Sequence, residues 1–214
     1  PEITRLELSG VLLDLAAVAR HLPGAADPAS LPWLDPPLPA MVESCHGLLG
    51  LLGAVGAEGY LTPLGEELAG APLHPRLARV MAEGRRRGIA GAAALAAVLV
   101  NEGMILRPLP AAPAVTESDV FWQLELFLAG KRRRELPAAV REAFDRPRAE
   151  RMEALYRQLA EGGGLPSLEK LRLPAEEDLA ACFLAGFPDR VAQVRAGRTG
   201  RRAVAGSALD RLEL

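Results

Sequence analysis

The sequence predicts a mostly α-helical protein in two parts, a small helix-rich domain with one β-hairpin and then a helical bundle. Three observations predict it. Apolar residues recur at helical spacing in one segment after another. Glycine and proline, 21 and 18 of the 214 residues, mark many of the breaks between those segments. Only residues 53–62 have the pattern of strand, tight turn and strand. Aromatic residues are 4% of a chain that is 50% apolar, so the core must come mainly from leucine, valine and alanine.

The first domain covers residues 1–70. Residues 11–22 form an apolar helix that Ser9 or Gly10 can cap and Pro23-Gly24 stops. A connector follows, Leu31-Pro32-Trp33-Leu34-Asp35-Pro36-Pro37, whose prolines deny hydrogen bonds to any ladder; Trp33 is its expected packing anchor. Pro39 suits the first turn of the next helix. In that helix Met41, Val42, Cys45, Leu48, Leu49 and Leu52 fall on one stripe, with His46 at its boundary. Residues 53–62 turn back on their glycines. Thr62 then reads as an N-cap and Pro63 as the first residue of a helix ending at Gly70. Two helices, a small hairpin and a closing helix make a winged-helix-like unit.

The second domain covers residues 71–190. Pro72-Leu73-His74-Pro75 leads rigidly into a helix with Leu77, Val80, Met81 and Gly84 on its apolar side. Arg85, Arg86 and Arg87 finish that helix, where cations also suit the helix dipole. Residues 89–101 are nearly all apolar and rich in alanine, which predicts a helix buried on most sides. Thr116-Glu117-Ser118-Asp119 resembles a capping box before a helix carrying Phe121, Leu124, Phe127 and Leu128, with Trp122 offset from that face. Residues 137–144 read as a short helix. Met152, Leu155, Tyr156 and Leu159 mark another, ended by three glycines, and Leu179, Cys182 and Phe183 a last one. Such a series of short helices with little strand is a bundle.

Charge is uneven. The chain as a whole is -2, but residues 1–75 carry nine acids against two arginines, which leaves the remainder basic. The densest basic run is Lys131-Arg132-Arg133-Arg134. Residues 191–214 form a basic tail, in which Arg195, Arg198, Arg201 and Arg202 alternate with glycines and small residues. Arginine forks match phosphate geometry, so the basic back half can face a polyanion; a solvated surface without a partner has the same composition.

Other chemistry is excluded by what is missing. Two cysteines, Cys45 and Cys182, sit among apolar residues and are expected to be reduced core thiols. His21, His46 and His74 are too far apart in sequence to give a metal-ligand spacing. There is no GxxxxGK[ST] phosphate cradle and no Asp-Glu-x-His. GxSxG, HExxH, CxxC and the dinucleotide-binding glycine pattern are also missing. No catalytic residue is therefore assigned. The longest apolar run, residues 89–100, is too short to span a bilayer, and no signal-peptide pattern stands at the start.

Several motifs, in order along the chain, resemble a known family. They are Pro1-Glu2-Ile3, then Trp33-Leu34-Asp35-Pro36-Pro37, then Gly59-Tyr60-Leu61-Thr62-Pro63-Leu64-Gly65. Pro72-Leu73-His74-Pro75-Arg76-Leu77-Ala78 and Phe187-Pro188-Asp189-Arg190-Val191-Ala192-Gln193 complete the series. Together they are similar to the helicase-associated C-terminal region of bacterial HrpB-type DEAH-box ATP-dependent helicases. Where that family has an acidic-arginine-acidic triplet, this chain has Asn101-Glu102-Gly103. The resemblance implies a winged-helix domain at 1–70, a helical ratchet-like domain at 71–190, and a basic tail or truncated start of an OB-like region at 191–214.

It further implies an accessory fragment of a cytoplasmic, ATP-dependent nucleic-acid helicase, with RNA as the expected strand. The ATP and Mg would belong to motor domains outside this chain, which alone would hydrolyse nothing. Its partners would be those motor domains and a single strand of RNA or DNA, with no membrane. The candidate nucleic-acid contacts are Arg85, Arg86, Arg87, Lys131, Arg132, Arg133, Arg134, Arg195, Arg198, Arg201 and Arg202. Such contacts position a strand without reading its sequence. The competing expectation is a non-catalytic scaffold that docks onto the motor domains without touching nucleic acid.

Overall fold

A computed structural model of the chain describes residues 7–19, 31–106, 118–131, 138–197 and 200–205. The described residues are mostly helical. They divide into two compact units: residues 1–82 with 183–214, and residues 83–182.

In the first unit α1 (Ser9–Ala19) packs on α2 (Pro39–Leu51) and α3 (Pro63–Ala69). The predicted stripe of α2 is the reason: Cys45, Leu48, Leu49 and Leu52 are buried in one cluster with Leu8, Leu12, Leu13, Leu68 and Ala78. Residues 53–62 form one antiparallel bridge, Val55 to Leu61, rather than a two-stranded ladder. The turn is fastened to α3 instead. Thr62 accepts a hydrogen bond from the Gly65 amide at 2.9 Å and donates to the Gly53 carbonyl at 2.7 Å. A side chain at Gly65 would lie 2.1 Å from the Ala54 carbonyl oxygen, so only glycine lets α3 approach that turn. Trp33 is half-buried in the connector.

α4 (Pro75–Arg86) begins in the first unit and ends in the second. In the second unit α5 (Ala90–Glu102) packs on α6 (Asp119–Lys131) and α8 (Arg146–Gly163). The all-apolar reading of α5 holds: Ala92 to Leu99 are each at most 2% exposed. Small residues set the spacing around it, since a Cβ at Gly84 would stand 2.1 Å from that of Ala93. α7 (Ala138–Ala143) and α9 (Glu176–Gly186) complete the helices, and Asp145 caps α8 through the Arg148 amide.

The cap of α6 differs from the sequence expectation. Ser118 accepts from the Phe121 amide at 3.2 Å, so the helix starts at Asp119; Thr116 and Glu117 lie outside the described residues. After α9 comes a 3₁₀ turn (Pro188–Arg190), then β1 (Ala192–Gly197) and β2 (Gly200–Ala205). The two strands pair antiparallel, with Ala192 opposite Ala205 and Gly197 opposite Gly200. Much of the segment read as a tail is thus a β-hairpin.

Candidate functional site

The candidate cations fall into three groups. Arg85, Arg86 and Arg87 stand at the end of α4, where Gly88 at φ 76° turns the chain away. Arg86 and Arg87 converge on one acid, Glu83, whose side chain is almost fully buried. Arg86 Nε donates to it at 3.0 Å and Arg87 Nε at 2.8 Å. Arg87 also lies 3.8 Å from Asp178. This grouping follows from helix geometry, because residues three and four apart share a face. Arg86 keeps most of its fork in solvent.

Lys131 closes α6 and pairs with Glu153 of α8, which also takes Arg157. Burial, with the Arg157 charge nearby, lowers the Lys131 pKa from its ordinary value. Arg132, Arg133 and Arg134 lie outside the described residues, as does Arg198. Arg195 stands in β1 opposite Arg202 of β2, and Arg201 opposite Ala196.

Sequence reading missed a polar junction in the first unit. Glu7 is its hub. It takes His74 Nε2 at 2.5 Å and Ser9 Oγ at 2.8 Å, and Cys45 Sγ donates to its other oxygen at 3.4 Å. Burial works to raise the Glu7 pKa, but the hydrogen bonds from His74, Ser9 and Cys45 outweigh it and hold the carboxyl below its ordinary value. Burial pushes the Cys45 thiol up, which leaves it a core thiol rather than a nucleophile. Both cysteines are free and buried, as the sequence predicts.

A second tie lies beside it. Arg76 grips Asp189 with both terminal nitrogens, at 2.5 and 2.7 Å, and its guanidinium sits 5.3 Å from the centre of the Phe187 ring. The bonded Arg76 holds the Asp189 carboxyl below the usual range. Gly186 makes the approach possible, since a Cβ there would meet the Arg76 carbonyl oxygen at 2.5 Å. Residues 72–78 and 187–193, two of the motifs behind the sequence resemblance, are therefore in contact. The signal that could have found the tie was their opposite charge, Arg76 in one and Asp189 in the other. An open groove of about 950 Å³ runs past both ties, lined by Met41, Leu48 and Leu51 of α2 and by Glu7, Arg76 and Arg190.

Among the described residues, no group of three or more His, Cys, Asp and Glu side chains is placed to hold a metal ion. None of their helices is long and apolar enough to cross a membrane.

No protein-family model matches the chain. It is similar to the ATP-dependent RNA helicase HrpB of Escherichia coli (strain K12), at 28% identity over 214 residues that take in 98% of this chain and 21% of the relative. It is 37% identical over 93 residues to the ATP-dependent RNA helicase HrpA of the same organism, covering 41% of this chain and 7% of the relative. A third relative is the pre-mRNA-splicing factor ATP-dependent RNA helicase prp22 of Schizosaccharomyces pombe, at 36% identity over 81 residues, 38% of this chain and 6% of the relative. The chain spans about a fifth of the first of these and a smaller share of the others. Its homology is to the helicase superfamily in general, and these relatives are RNA helicases.

Proposed function

We propose that the chain is an accessory region of an HrpB-type DEAH-box RNA helicase, cytoplasmic, that guides a single strand while motor domains carry out ATP hydrolysis. The observation that carries this reading is the similarity to HrpB along nearly the whole chain. Residues 1–70 act as the winged-helix part, 71–190 as the ratchet-like part and 191–214 as the start of an OB-like region. ATP and Mg belong to the motors, and this chain supplies no catalytic group. Its own work is electrostatic: arginines along the basic back half hold phosphates, give the strand a track and carry no sequence information.

The test is fluorescence anisotropy of a labelled single-stranded RNA of about 20 nucleotides at low salt, where phosphate contacts are strongest. Binding is expected, and Arg133→Glu with Arg134→Glu weakens it. No binding at low salt overturns the reading, and unchanged affinity in the double variant removes that patch from the strand path.

One observation favours the scaffold reading. Arg86, Arg87 and Lys131 already pair with Glu83 and Glu153. A strand must then compete with an acid for each of them. Co-purification with the helicase motor domains, without affinity for RNA or DNA, is the outcome that selects the scaffold.

A further inference from the structure

Four described helix starts have an N-cap side chain that accepts an amide, and one of them stands apart. Thr62 caps α3, Ser118 caps α6 and Asp145 caps α8, all ordinary choices. α4 is capped by a histidine. His74 immediately precedes Pro75, and its Nδ1 accepts the Arg76 amide at 3.2 Å, while the Leu77 and Ala78 amides bond its carbonyl. On the far side of the ring, Nε2 meets Glu7 Oε2 at 2.5 Å.

These two contacts fix the proton. Nδ1 can accept only if it carries no hydrogen, so the neutral ring has its hydrogen on Nε2 and donates it to Glu7. A second proton has one place to go, Nδ1. There it would point at the Arg76 N–H, donor against donor, and the cap hydrogen bond is lost. The new positive charge also sits at a helix N-terminus, where cations are disfavoured. On the Nε2 side the effect is the reverse, since imidazolium pairs with the Glu7 carboxylate more strongly than imidazole does.

We propose that His74 is a proton-operated helix cap, which holds the first turn of α4 when neutral and releases the Arg76 amide for a tighter pair with Glu7 when protonated. The groups facing the ring are Glu7 and Ser9, whose Oγ is 3.5 Å from Nε2, and on α4 itself Arg76. Cys45 of α2 reaches the junction through the other oxygen of Glu7, and Asp189 through Arg76. Arg76 is the residue that pins Asp189 and Phe187, so the released turn is the one that anchors the 183–190 segment. This device does not depend on the chain being part of a helicase.

The test is NMR on the ¹⁵N-labelled chain, between about pH 8 and pH 5, the range in which imidazoles ordinarily change charge. At the upper end the ring nitrogens of His74 should report the Nε2–H tautomer. On acidification the Arg76 amide should shift with the same midpoint as the ring. Its protection from solvent exchange, corrected for intrinsic pH dependence, should fall about fivefold or more. His74→Asn keeps an acceptor at the cap without a titrating proton, so its Arg76 amide stays protected throughout. Glu7→Gln removes the charge on the other side, and the Arg76 amide still follows the ring. A neutral ring protonated on Nδ1 overturns the proposal. So does an Arg76 amide that ignores the ring's titration in the unmodified chain, or a pH response that survives in His74→Asn.

Discussion

The two units use their charged residues in different proportions. In the first, Arg76 holds an acid 113 positions away and His74 one 67 positions away. In the second, Arg86, Arg87 and Arg157 hold acids three or four positions away, alongside pairs between distant residues, Lys131–Glu153, Arg151–Glu102 and Arg87–Asp178. The long-range pairs fasten segments that the chain's order does not bring together. The short-range pairs lie along one helix face and leave most of the Arg86 and Arg157 forks in solvent. In the first unit charge is a main fastener of distant segments. In the second, inter-helix pairs such as Lys131–Glu153 and Arg151–Glu102 supplement the buried apolar length of α5, which carries most of the fastening.

Changes to the cores should give the largest effects. Leu99→Ala in α5 removes a fully buried side chain and is expected to cost about 2–5 kcal/mol, read by chemical denaturation with a probe in the second unit. Gly65→Ala drives a Cβ against the Ala54 carbonyl, and overpacking of that kind costs about 1–3 kcal/mol in the first unit. If Leu99→Ala proved neutral, the contrast would fail, because α5 would not be what holds the second unit together.

A smaller effect isolates the fasteners. Asp189→Asn leaves the mostly buried Arg76 guanidinium without its carboxylate. We expect a loss of about 1–2 kcal/mol, discounted because Asp189 is partly solvated. Arg87→Gln removes a local pair whose buried acid, Glu83, still keeps Arg86, and should cost less, about 0.5–1 kcal/mol. Equal costs for the two would erase the distinction between a fastener without a substitute and a local pair that has one.

The pH dependence sharpens the same point. Asp189 and Glu7 both have folded pKa values below their ordinary ones. Each contributes stability that is fully present above the unfolded carboxyl value and is lost as pH falls through the folded one. The first unit should therefore weaken in acid, below about pH 4, and Asp189→Asn should flatten part of that loss. Tyr156 belongs to the opposite end. Burial pushes its hydroxyl up to about 12, and it donates to the Pro166 carbonyl at 2.8 Å. Stability tied to that bonded phenol is fully present below the ordinary tyrosine pKa and is lost as pH rises from there through the folded value.

What was legible in the sequence is local or periodic. The α2 stripe at Cys45, Leu48 and Leu49, the Thr62–Pro63 start of α3 and the buried run of α5 all depend on neighbours within a few residues. The cap of α6 at Ser118 was misplaced by two residues, because Thr116 and Ser118 are chemically alike as caps. Opposite charge in two motifs is a signal for Arg76–Asp189, but the tie Glu7–His74 was out of reach, because spacing along the chain says nothing of partners brought together by the fold. Gln123 is a similar case. It lies on the helix face otherwise read as apolar, and its Oε1 accepts the Ile105 amide at 2.7 Å and the Leu106 amide at 3.2 Å. A buried backbone donor needs some acceptor, but only the folded chain shows which one supplies it. The candidate cations were legible as a list, whereas Glu83, which engages two of them, was not.

The measurement that tests strand guidance most directly is the salt dependence of binding to labelled single-stranded RNA and DNA, followed by anisotropy. Contacts with phosphates release counterions, so the logarithm of affinity should fall linearly with the logarithm of salt, at about 0.7 per phosphate neutralised. A slope corresponding to several phosphates, similar for RNA and DNA, is the result expected of a chain that tracks the backbone with arginines. No binding at the lowest salt, or binding that salt leaves unchanged, would contradict it.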